Sequence, residues 1–233
     1  MKKFNTLVRT FLTTNQTNCT LLKMRYTNER IDHLVYAVPD LDQAIKDIEK
    51  KFGIAPIKGG THKSQGTHNA LVNLGSRRYL EILAIDKSNK QVKPPHWMGL
   101  DLIGRPRLTR WAVSTNDLDK DVDFLTEIDP RLGEIKGGQR RRPDGSKLFW
   151  KFSLPLPAPE VEVLPFIINW QGADHPTNTL PEGCNLIALK ATHPTPFLIE
   201  PAIHALDVDI EIDTAVEVSL TAIIDTPNGV VEI

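Results

Sequence analysis

The sequence holds only two cysteines, Cys19 and Cys184, among its 233 residues. Two cysteines without metal-binding spacing exclude a disulfide framework and a zinc knuckle, and they favour a reducing, cytoplasmic compartment. Long apolar runs are also missing, because no stretch approaches the roughly 20 apolar residues that a membrane-spanning helix needs. The sequence therefore predicts a soluble protein with no membrane partner.

An excess of one charge is likewise absent, since 28 Lys and Arg residues stand against 29 Asp and Glu residues. A nucleic-acid-binding protein normally carries a strongly basic surface, so no nucleic-acid partner is expected. The sequence also lacks a glycine-rich phosphate loop, a Gly-x-Ser-x-Gly nucleophile turn and a His-Glu-x-x-His helix. No nucleotide or flavin cofactor is therefore expected.

The first 29 residues form a separate stretch in which no acidic residue precedes Glu29. A basic, acid-free start that is rich in threonine and asparagine has the composition of an organellar transit peptide. An unstructured extension ahead of a true start at Met24 has the same composition. We favour the second interpretation because apolar residues such as Phe4, Leu7 and Phe11 are too few and interrupted for a secretory core.

What the sequence does contain is a repeat, whose first copy runs from Ile31 to Gly60. A weaker copy runs from Arg110 to Gly138, in which Asp40-Leu41-Asp42 returns as Asp117-Leu118-Asp119. A match that extends over a strand, a helix and a further strand indicates a duplicated module. The same order of elements begins a third time after Gly183, in a shorter and looser form.

Each copy is predicted to fold as a strand, a helix and three strands. In the first copy, the β-branched and aromatic run Ile31–Val38 predicts the opening strand. Asp40 is expected to cap a helix that Gly53 ends. A short strand near Ala55–Ile57 and a turn at Gly59-Gly60 are expected to follow, before two further strands.

The chain is accordingly divided into three modules, and the last strand of the second module is predicted over Val161–Trp170. The predicted fold class is α+β, with tandem βαβββ modules, two of them paired and a shorter third, forming curled mixed β-sheets around a cleft. The predicted segments are a basic disordered leader (1–29), module 1 (30–90), a linker (91–107), module 2 (108–172), a linker (173–184) and module 3 (185–233).

Several separated motifs resemble the glyoxalase-like members of the vicinal oxygen chelate (glyoxalase/bleomycin resistance/dioxygenase) superfamily. The resemblance covers residues 30–233 and implies paired βαβββ modules around a cup, with a divalent metal held by His or Glu from the first and last strands of each module. The motifs are DHLVYAV followed by PDLDQAI, then GTHNALVNLGSRRYLEILAID, PRLTRWAVSTNDLD, RRRPDGSKLFWKF, LPFIINWQGADHP and TPNGVVEI.

Carried over by position, the resemblance assigns His33 and Glu81 of module 1 as metal ligands or as catalytic groups. At the matching places of module 2 stand Arg110 and Phe166, which do not bind divalent metals. Half of the ligand set is therefore missing. Because two protein ligands seldom hold a metal firmly, the residues argue against a tightly bound divalent metal.

In place of a metal, we expect Arg110 to pair with Glu81, so that the guanidinium can receive an anionic or enolate-like oxygen of a ligand. His33 would then carry a proton or a hydrogen bond. A structural interpretation fits the same residues about equally well. In that interpretation His33 bridges strand backbone, and Glu81 forms an ordinary ion pair with Arg78 or Arg110.

Further contacts with a ligand are expected around the cup. His68 and Asn69 lie at the start of a module 1 strand, where the alternative is a loop that satisfies its own backbone. His175 is expected at the rim. Aromatic side chains of module 2 either line an apolar pocket or belong to the core, and the candidates are Trp111, Trp150, Phe166 and Trp170.

The expected function is that of a glyoxalase-like protein acting on a small polar organic molecule between modules 1 and 2. The chemistry would be proton abstraction next to a carbonyl, as in a lyase or isomerase, with Glu81 as the base. The alternative is a non-catalytic small-molecule-binding or drug-sequestering protein, which needs an aromatic cup and no base. A third interpretation is an interaction module with a closed cleft. The oligomeric state stays open, a homodimer included.

Overall fold

A computed structural model of the chain describes residues 28–141, 145–157 and 160–233. All but the last two residues of the predicted leader lie outside the described residues. The helices are α1 (Leu41–Phe52), α2 (Leu118–Thr126) and α3 (Pro196–Ala205). In chain order the strands are β1 (Ile31–Ala37), β2 (Ile57–His62), β3 (Thr67–Asn73), β4 (Tyr79–Ile85), β5 (Arg107–Ser114), β6 (Ile135–Arg141), β7 (Lys147–Ser153), β8 (Phe166–Asn169), β9 (Asn185–His193), β10 (Glu211–Thr214), β11 (Ser219–Thr226) and β12 (Gly229–Glu232).

The first eight strands close into a barrel in the order β1-β4-β3-β2-β6-β7-β8-β5. Within each half, the first and last strands pair in parallel, β1 with β4 and β5 with β8. The halves meet at two seams. Antiparallel β1 and β5 pair along the whole of β1, whereas within the described ranges β2 and β6 pair at Thr61 and Arg141 alone. The predicted fold class, paired βαβββ modules with curled mixed sheets, is confirmed.

The last four strands form a separate sheet in the order β10-β9-β11-β12. Together with α3 they repeat the order of one strand, one helix and three strands. Backbone hydrogen bonds tie this sheet to the barrel, because Leu186 N donates to Leu74 O at 2.9 Å. The Asn228 side chain adds a bond to Lys50 O, with 3.1 Å between Nδ2 and the carbonyl oxygen.

The first two helices begin at matching aspartates. Asp40 Oδ1 accepts a hydrogen bond from Gln43 N at 2.9 Å, and Asp117 Oδ1 accepts one from Lys120 N at 3.4 Å. Gly53, with a φ of 77°, ends α1 in the left-handed conformation that glycine tolerates. No helix in the described ranges is long and apolar enough to cross a membrane. The face of α1 buried against the barrel consists of Leu41, Ala44, Ile48 and Phe52.

Apolar side chains fall into two layers because successive strand residues point to opposite faces of the sheet. Outward residues such as Leu34 and Trp111 pack beneath the helices and the last sheet. Inward residues such as Val35 and Ala112 fill the barrel together with Met98 from the connection before β5. The polar residues of interest share this inward face.

Two predicted elements differ from the structure. The Gly59-Gly60 turn is wrong, because both glycines lie within β2, where the pairing register with β3 shifts between Lys58 and Gly60. A β-bulge, like a turn, favours glycine, so the residue types alone do not distinguish the two. The strand predicted over Val161–Trp170 is shorter, since β8 begins at Phe166.

Arg30 holds three parts of the fold together. Its guanidinium donates to Ser114 O at 3.2 Å and to Leu206 O at 2.8 Å. It also forms an ion pair with Asp121 of α2, whose side chain is only 8% exposed. One side chain at the start of β1 therefore fixes the end of β5, helix α2 and the end of α3.

We expect Arg30→Met to lower the free energy of unfolding by about 3 kcal/mol, because Asp121 stays buried without its charged partner. Urea unfolding at neutral pH measures the change. Lys58→Met is the matched control, since the Lys58–Asp42 pair is 68% and 71% exposed and surface ion pairs contribute little. Equal losses in the two variants would contradict the role of Arg30.

Candidate functional site

The first half of the barrel brings a compact group of polar side chains to its interior. His33 of β1, Asn69 of β3 and Glu81 of β4 line one cavity. His33 is paired with Tyr79 across β1 and β4, so Glu81, two residues further along β4, lies on the same face. The two catalytic candidates from module 1 are therefore brought together, with Asn69 beside them.

The Glu81 carboxylate has a different partner for each oxygen. Oε1 accepts a hydrogen bond from Asn69 Nδ2 at 2.6 Å, and Oε2 lies 3.9 Å from His33 Nε2. The second distance is too long for a hydrogen bond. Glu81 is 7% exposed. The carboxylate is thus fixed through one oxygen, and a single atom placed beside the other oxygen would also contact His33.

Asp32, which the sequence reasoning missed, orients His33. The Asp32 Oδ1 to His33 Nδ1 distance is 2.6 Å, Trp170 Nε1 donates to Oδ2 at 2.8 Å, and His175 Nε2 lies 3.3 Å from Oδ2. Neighbours on a regular strand face opposite ways, but the register between β1 and β5 shifts between Ile31 and His33. The irregularity lets Asp32 and His33 reach the same buried space.

The surroundings of Asp32 keep it ionised. Burial by itself raises the pKa of this carboxyl, but hydrogen bonds from His175 and His33 and the attraction of both rings outweigh burial and lower the pKa to about 2. An ionised carboxylate only accepts hydrogen bonds, so His33 carries its proton on Nδ1. His33 Nε2 therefore remains to face Glu81, at 3.9 Å from Oε2.

Aromatic rings close the cavity around these groups. The His33 ring stacks on Tyr79 with 4.7 Å between centroids and meets the edge of Phe166 at 5.3 Å. The cavity offers about 30 Å³ to the centres of water-sized molecules, which is room for about two waters. An organic ligand therefore fits only when lining side chains move. The other lining residues are His62, Trp97, Trp150, Phe152, Ile168 and Trp170.

A larger open cleft of about 850 Å³ adjoins the cavity, and the Trp170 side chain borders both spaces. His175, the expected rim residue, also lines this cleft and is held by Thr177, with 2.7 Å between Nδ1 and Oγ1. Trp170 and His175 both bind Asp32. The wall between the cleft and the cavity is therefore built on the same carboxylate that orients His33.

The structure does not bring Arg110 to Glu81. The Arg110 guanidinium donates to the carbonyl oxygens of Thr109 at 2.8 Å and Leu156 at 3.2 Å, and also to that of Glu160. Burial lowers the Arg110 pKa to about 10, although attraction by Glu162 and Glu160 acts to raise it. The Arg110 guanidinium is therefore charged at neutral pH and binds backbone carbonyl groups of the connection between β7 and β8. The expected pairing of Arg110 with Glu81 is wrong.

The other predicted contacts separate according to the face of their strand. Asn69 lines the cavity, whereas its neighbour His68 points outward and is half-buried. Burial lowers the His68 pKa, opposed by Asp86 and Asp42. Trp111 belongs to the outer layer, where Nε1 donates to Val163 O at 2.7 Å. The aromatic candidates that do line the cavity are Trp150, Phe166 and Trp170.

The donor set does not fit a firmly bound metal. His33 Nε2 and Glu81 Oε2 are suitable donors, but two protein ligands seldom hold a divalent ion tightly. Phe166 packs beside His33 where the second module would supply another ligand. Among the described residues, no group of three or more His, Cys, Asp or Glu side chains gathers closely enough to bind a metal.

We expect Asp32→Asn to lower the free energy of unfolding by about 2 kcal/mol at pH 7, the equivalent of a pKa lowered from 3.8 to about 2. Because the folded-state pKa is the lower one, this stability is complete above about pH 4 and is lost as the pH falls toward 2. The difference from the parent should shrink over that range.

Urea unfolding at several pH values makes this measurement. Asp119→Asn removes an exposed carboxylate and is the matched control, with little effect expected at any pH. A difference between Asp32→Asn and the parent that stays constant from pH 7 to pH 2 would refute the buried ionised carboxylate.

Comparison with known proteins identifies the family. Residues 31–206 match the family model described as a glyoxalase-like domain. No curated protein matches the chain. A hypothetical protein from Staphylococcus aureus is 14% identical with a TM-score of 0.59, over 81% of this chain and 87% of that one, which shows a shared fold.

Methylmalonyl-CoA epimerases also match, at TM-scores too low to carry an argument. The Streptomyces coelicolor enzyme in complex with 2-nitronate-propionyl-CoA is 17% identical, with a TM-score of 0.39 over 64% of this chain and 100% of that one. The Mycobacterium tuberculosis enzyme is 21% identical, with a TM-score of 0.37 over 62% and 87%. On the strength of the family model, which spans most of the chain, the protein belongs to the glyoxalase-like domain family of the vicinal oxygen chelate superfamily.

Proposed function

We propose that the barrel interior binds a small polar organic molecule and transfers a proton next to its carbonyl group, as a lyase or an isomerase does. The observation that carries the proposal is the buried Glu81 carboxylate. Asn69 fixes one of its oxygens, and the other lies 3.9 Å from His33 Nε2. A carboxylate and an imidazole so close together in a cavity can share one reacting group.

Each group then has a defined task. Glu81 takes the proton from the carbon next to the carbonyl through Oε2, and the electron pair of that bond moves onto the carbonyl oxygen as an enolate. Glu81 then returns this proton to the carbon, or passes it to the unprotonated Nε2 of His33, which delivers it to the carbon or to the oxygen, so that both groups end in their starting states. Asp32 keeps the imidazole in the tautomer that leaves Nε2 available.

Access to these groups requires movement of the aromatic wall. Trp170 separates the small cavity from the open cleft of about 850 Å³. We infer that the reacting end of the ligand enters the cavity past Trp170, while its remaining part lies in the polar cleft. That cleft has the size of an ordinary small-molecule site.

We expect Glu81→Gln to abolish proton exchange while ligand binding is kept, because the amide preserves the shape of the side chain but does not accept the proton. Loss of a general base costs roughly 100- to 10,000-fold in rate. Proton NMR in D₂O can follow deuterium incorporation next to the carbonyl in a panel of small aldehydes, ketones and 2-oxo acids.

The matched control is His68→Gln. His68 lies on the outward face of β3, next to Asn69 in sequence, so this substitution should leave the exchange rate unchanged. Exchange that is equally fast in the parent and Glu81→Gln would remove Glu81 from the base role.

A non-catalytic small-molecule-binding function is the second candidate, and the aromatic lining favours it. Rings of Trp150, Phe152, Phe166 and Trp170 surround the cavity, as in sites that bind apolar organic compounds. A protein of this kind should bind members of the panel with no deuterium incorporation. Glu81→Gln should then leave its behaviour unchanged.

We also expect the purified protein to carry less than one equivalent of zinc, manganese or iron, because His33 and Glu81 alone form a weak donor set. Elemental analysis of protein prepared without chelator measures the content. Tightly held stoichiometric metal that disappears in His33→Ala would overturn this expectation and make the two residues ligands.

The proposed compartment is the cytoplasm, on the ground of the two cysteines. The proposed partner is the small-molecule ligand of the cavity.

A further inference from the structure

We propose that Trp97 donates its indole N–H to the carbonyl oxygen of the molecule bound in the barrel. The inference deepens the proposed function and rests on it, because it assigns the group that receives the negative charge when Glu81 takes a proton. Trp97 belongs to neither half of the barrel. It lies in the connection between β4 and β5.

The carrying observation is a buried N–H without a partner in the described part of the chain, on a side chain that lines the cavity. Trp97 Nε1 is shielded from solvent and has no hydrogen-bond partner among the described residues, and the Trp97 side chain lines the same cavity as Glu81 and His33. A buried donor left unpaired costs about 1–3 kcal/mol, so it normally has a partner. Two other indoles have theirs, since Trp111 donates to Val163 and Trp170 donates to Asp32.

The local fold holds the indole in the cavity wall. Trp97 opens a 3-10 helix, Trp97–Leu102, that is kinked where Met98 and Gly99 adopt left-handed φ values of 55° and 64°. His96 closes the start of this turn through Asp101, with 2.7 Å between Nδ1 and Oδ1. The Trp97 ring meets the edges of Phe152 at 5.9 Å and His62 at 6.5 Å between centroids. The turn is anchored by the buried side chains of Met98, Leu100 and Ile103.

The chemistry of an indole limits what it can bind. An indole N–H only donates and carries no charge, so it pairs with a carbonyl, enolate or carboxylate oxygen and not with an ammonium group. A base and a neutral donor in one enclosed cavity stabilise charge that moves from a carbon to its carbonyl oxygen. The arrangement therefore orients the ligand, with its acidic C–H toward Glu81 and its carbonyl oxygen toward Trp97.

The dimensions of the cavity narrow the ligand class further. The cavity offers only about 30 Å³ to the centres of water-sized molecules, so it admits a small group before the lining side chains move. The reacting end is therefore small, such as the carbonyl end of an aldehyde, a methyl ketone or a 2-oxo acid. Hydroxyacetone and pyruvate represent the neutral and the anionic forms of this class.

The first experiment observes the indole directly. Protein labelled with ¹⁵N at the indole nitrogens is titrated with hydroxyacetone and with pyruvate, in the parent and in Glu81→Gln. The Trp97 Nε1 resonance, assigned by its loss in Trp97→Phe, should move downfield with at least one probe. The Trp111 resonance is the internal control and should stay in place, because its N–H is bonded in the outer layer. A Trp97 resonance that responds to neither probe overturns the inference.

The second experiment measures the contribution to rate. Trp97→Phe keeps an aromatic ring but removes the N–H, and we expect kcat for deuterium exchange to fall roughly 100-fold with KM changed much less. Trp150→Phe is the matched control, because Trp150 lines the same cavity while its indole nitrogen lies against Gly138, where an added Cβ would come within 2.2 Å. That variant measures the loss of rate caused by a smaller ring in the cavity wall, and we expect the loss in Trp97→Phe to exceed it. Circular dichroism and melting temperature confirm that both variants fold.

The outcomes separate this inference from the proposed function. A Trp97 shift without deuterium exchange in any variant keeps the donor role and overturns the proton-transfer proposal. Exchange that depends on Glu81 but proceeds equally fast in Trp97→Phe keeps the proposed function and overturns the donor role. A loss of rate that is the same in Trp97→Phe and Trp150→Phe also overturns it, since aromatic packing would then explain the effect.

Discussion

The ionised carboxylate of Asp32 is the constraint around which the interior of the barrel is built. Burial alone would raise its pKa, yet the pKa is held at about 2 because hydrogen bonds and attraction from His175 and His33 outweigh burial. The Trp170 indole also donates a hydrogen bond to it. The same interactions fix the tautomer of His33, the ring of Trp170 and the position of His175. The orientation of His33 and the wall between the cavity and the cleft therefore depend on one residue, which an irregularity in the β1–β5 pairing turns inward.

The two halves of the barrel share the same arrangement of strands but contribute different kinds of side chain to the cavity. The first half supplies His33, Asn69 and Glu81, whereas the second supplies mainly aromatic rings such as Phe166. Arg110, at the place that matches His33, is bound by carbonyl oxygens of the connection before β8 and stabilises that connection. Duplication thus preserved the barrel, while polar chemistry is concentrated in one half.

Sequence reasoning succeeded where local patterns determine the structure. The aspartate cap at Asp40 and the order of elements follow from residue type and spacing, and they suffice for the fold class. The site was only partly predictable. His68 and Asn69 could have been separated by strand alternation alone, whereas Asp32 needs the register shift and Arg110 needs carbonyl groups far along the chain. Trp97 lies in an aperiodic connection, where no pattern reports which way a ring points.

The unequal seams of the barrel have a mechanical consequence. β1 and β5 pair from Ile31 to Ala37, whereas Thr61 and Arg141 form the one pair between β2 and β6 among the residues that the structure describes. A closed ring with one long seam and one short seam is weakest at the short one. Separation of β2 from β6 would leave both four-stranded halves intact and joined through the β1–β5 pairing. The cavity that holds Glu81 would then be exposed to solvent while each half stays folded.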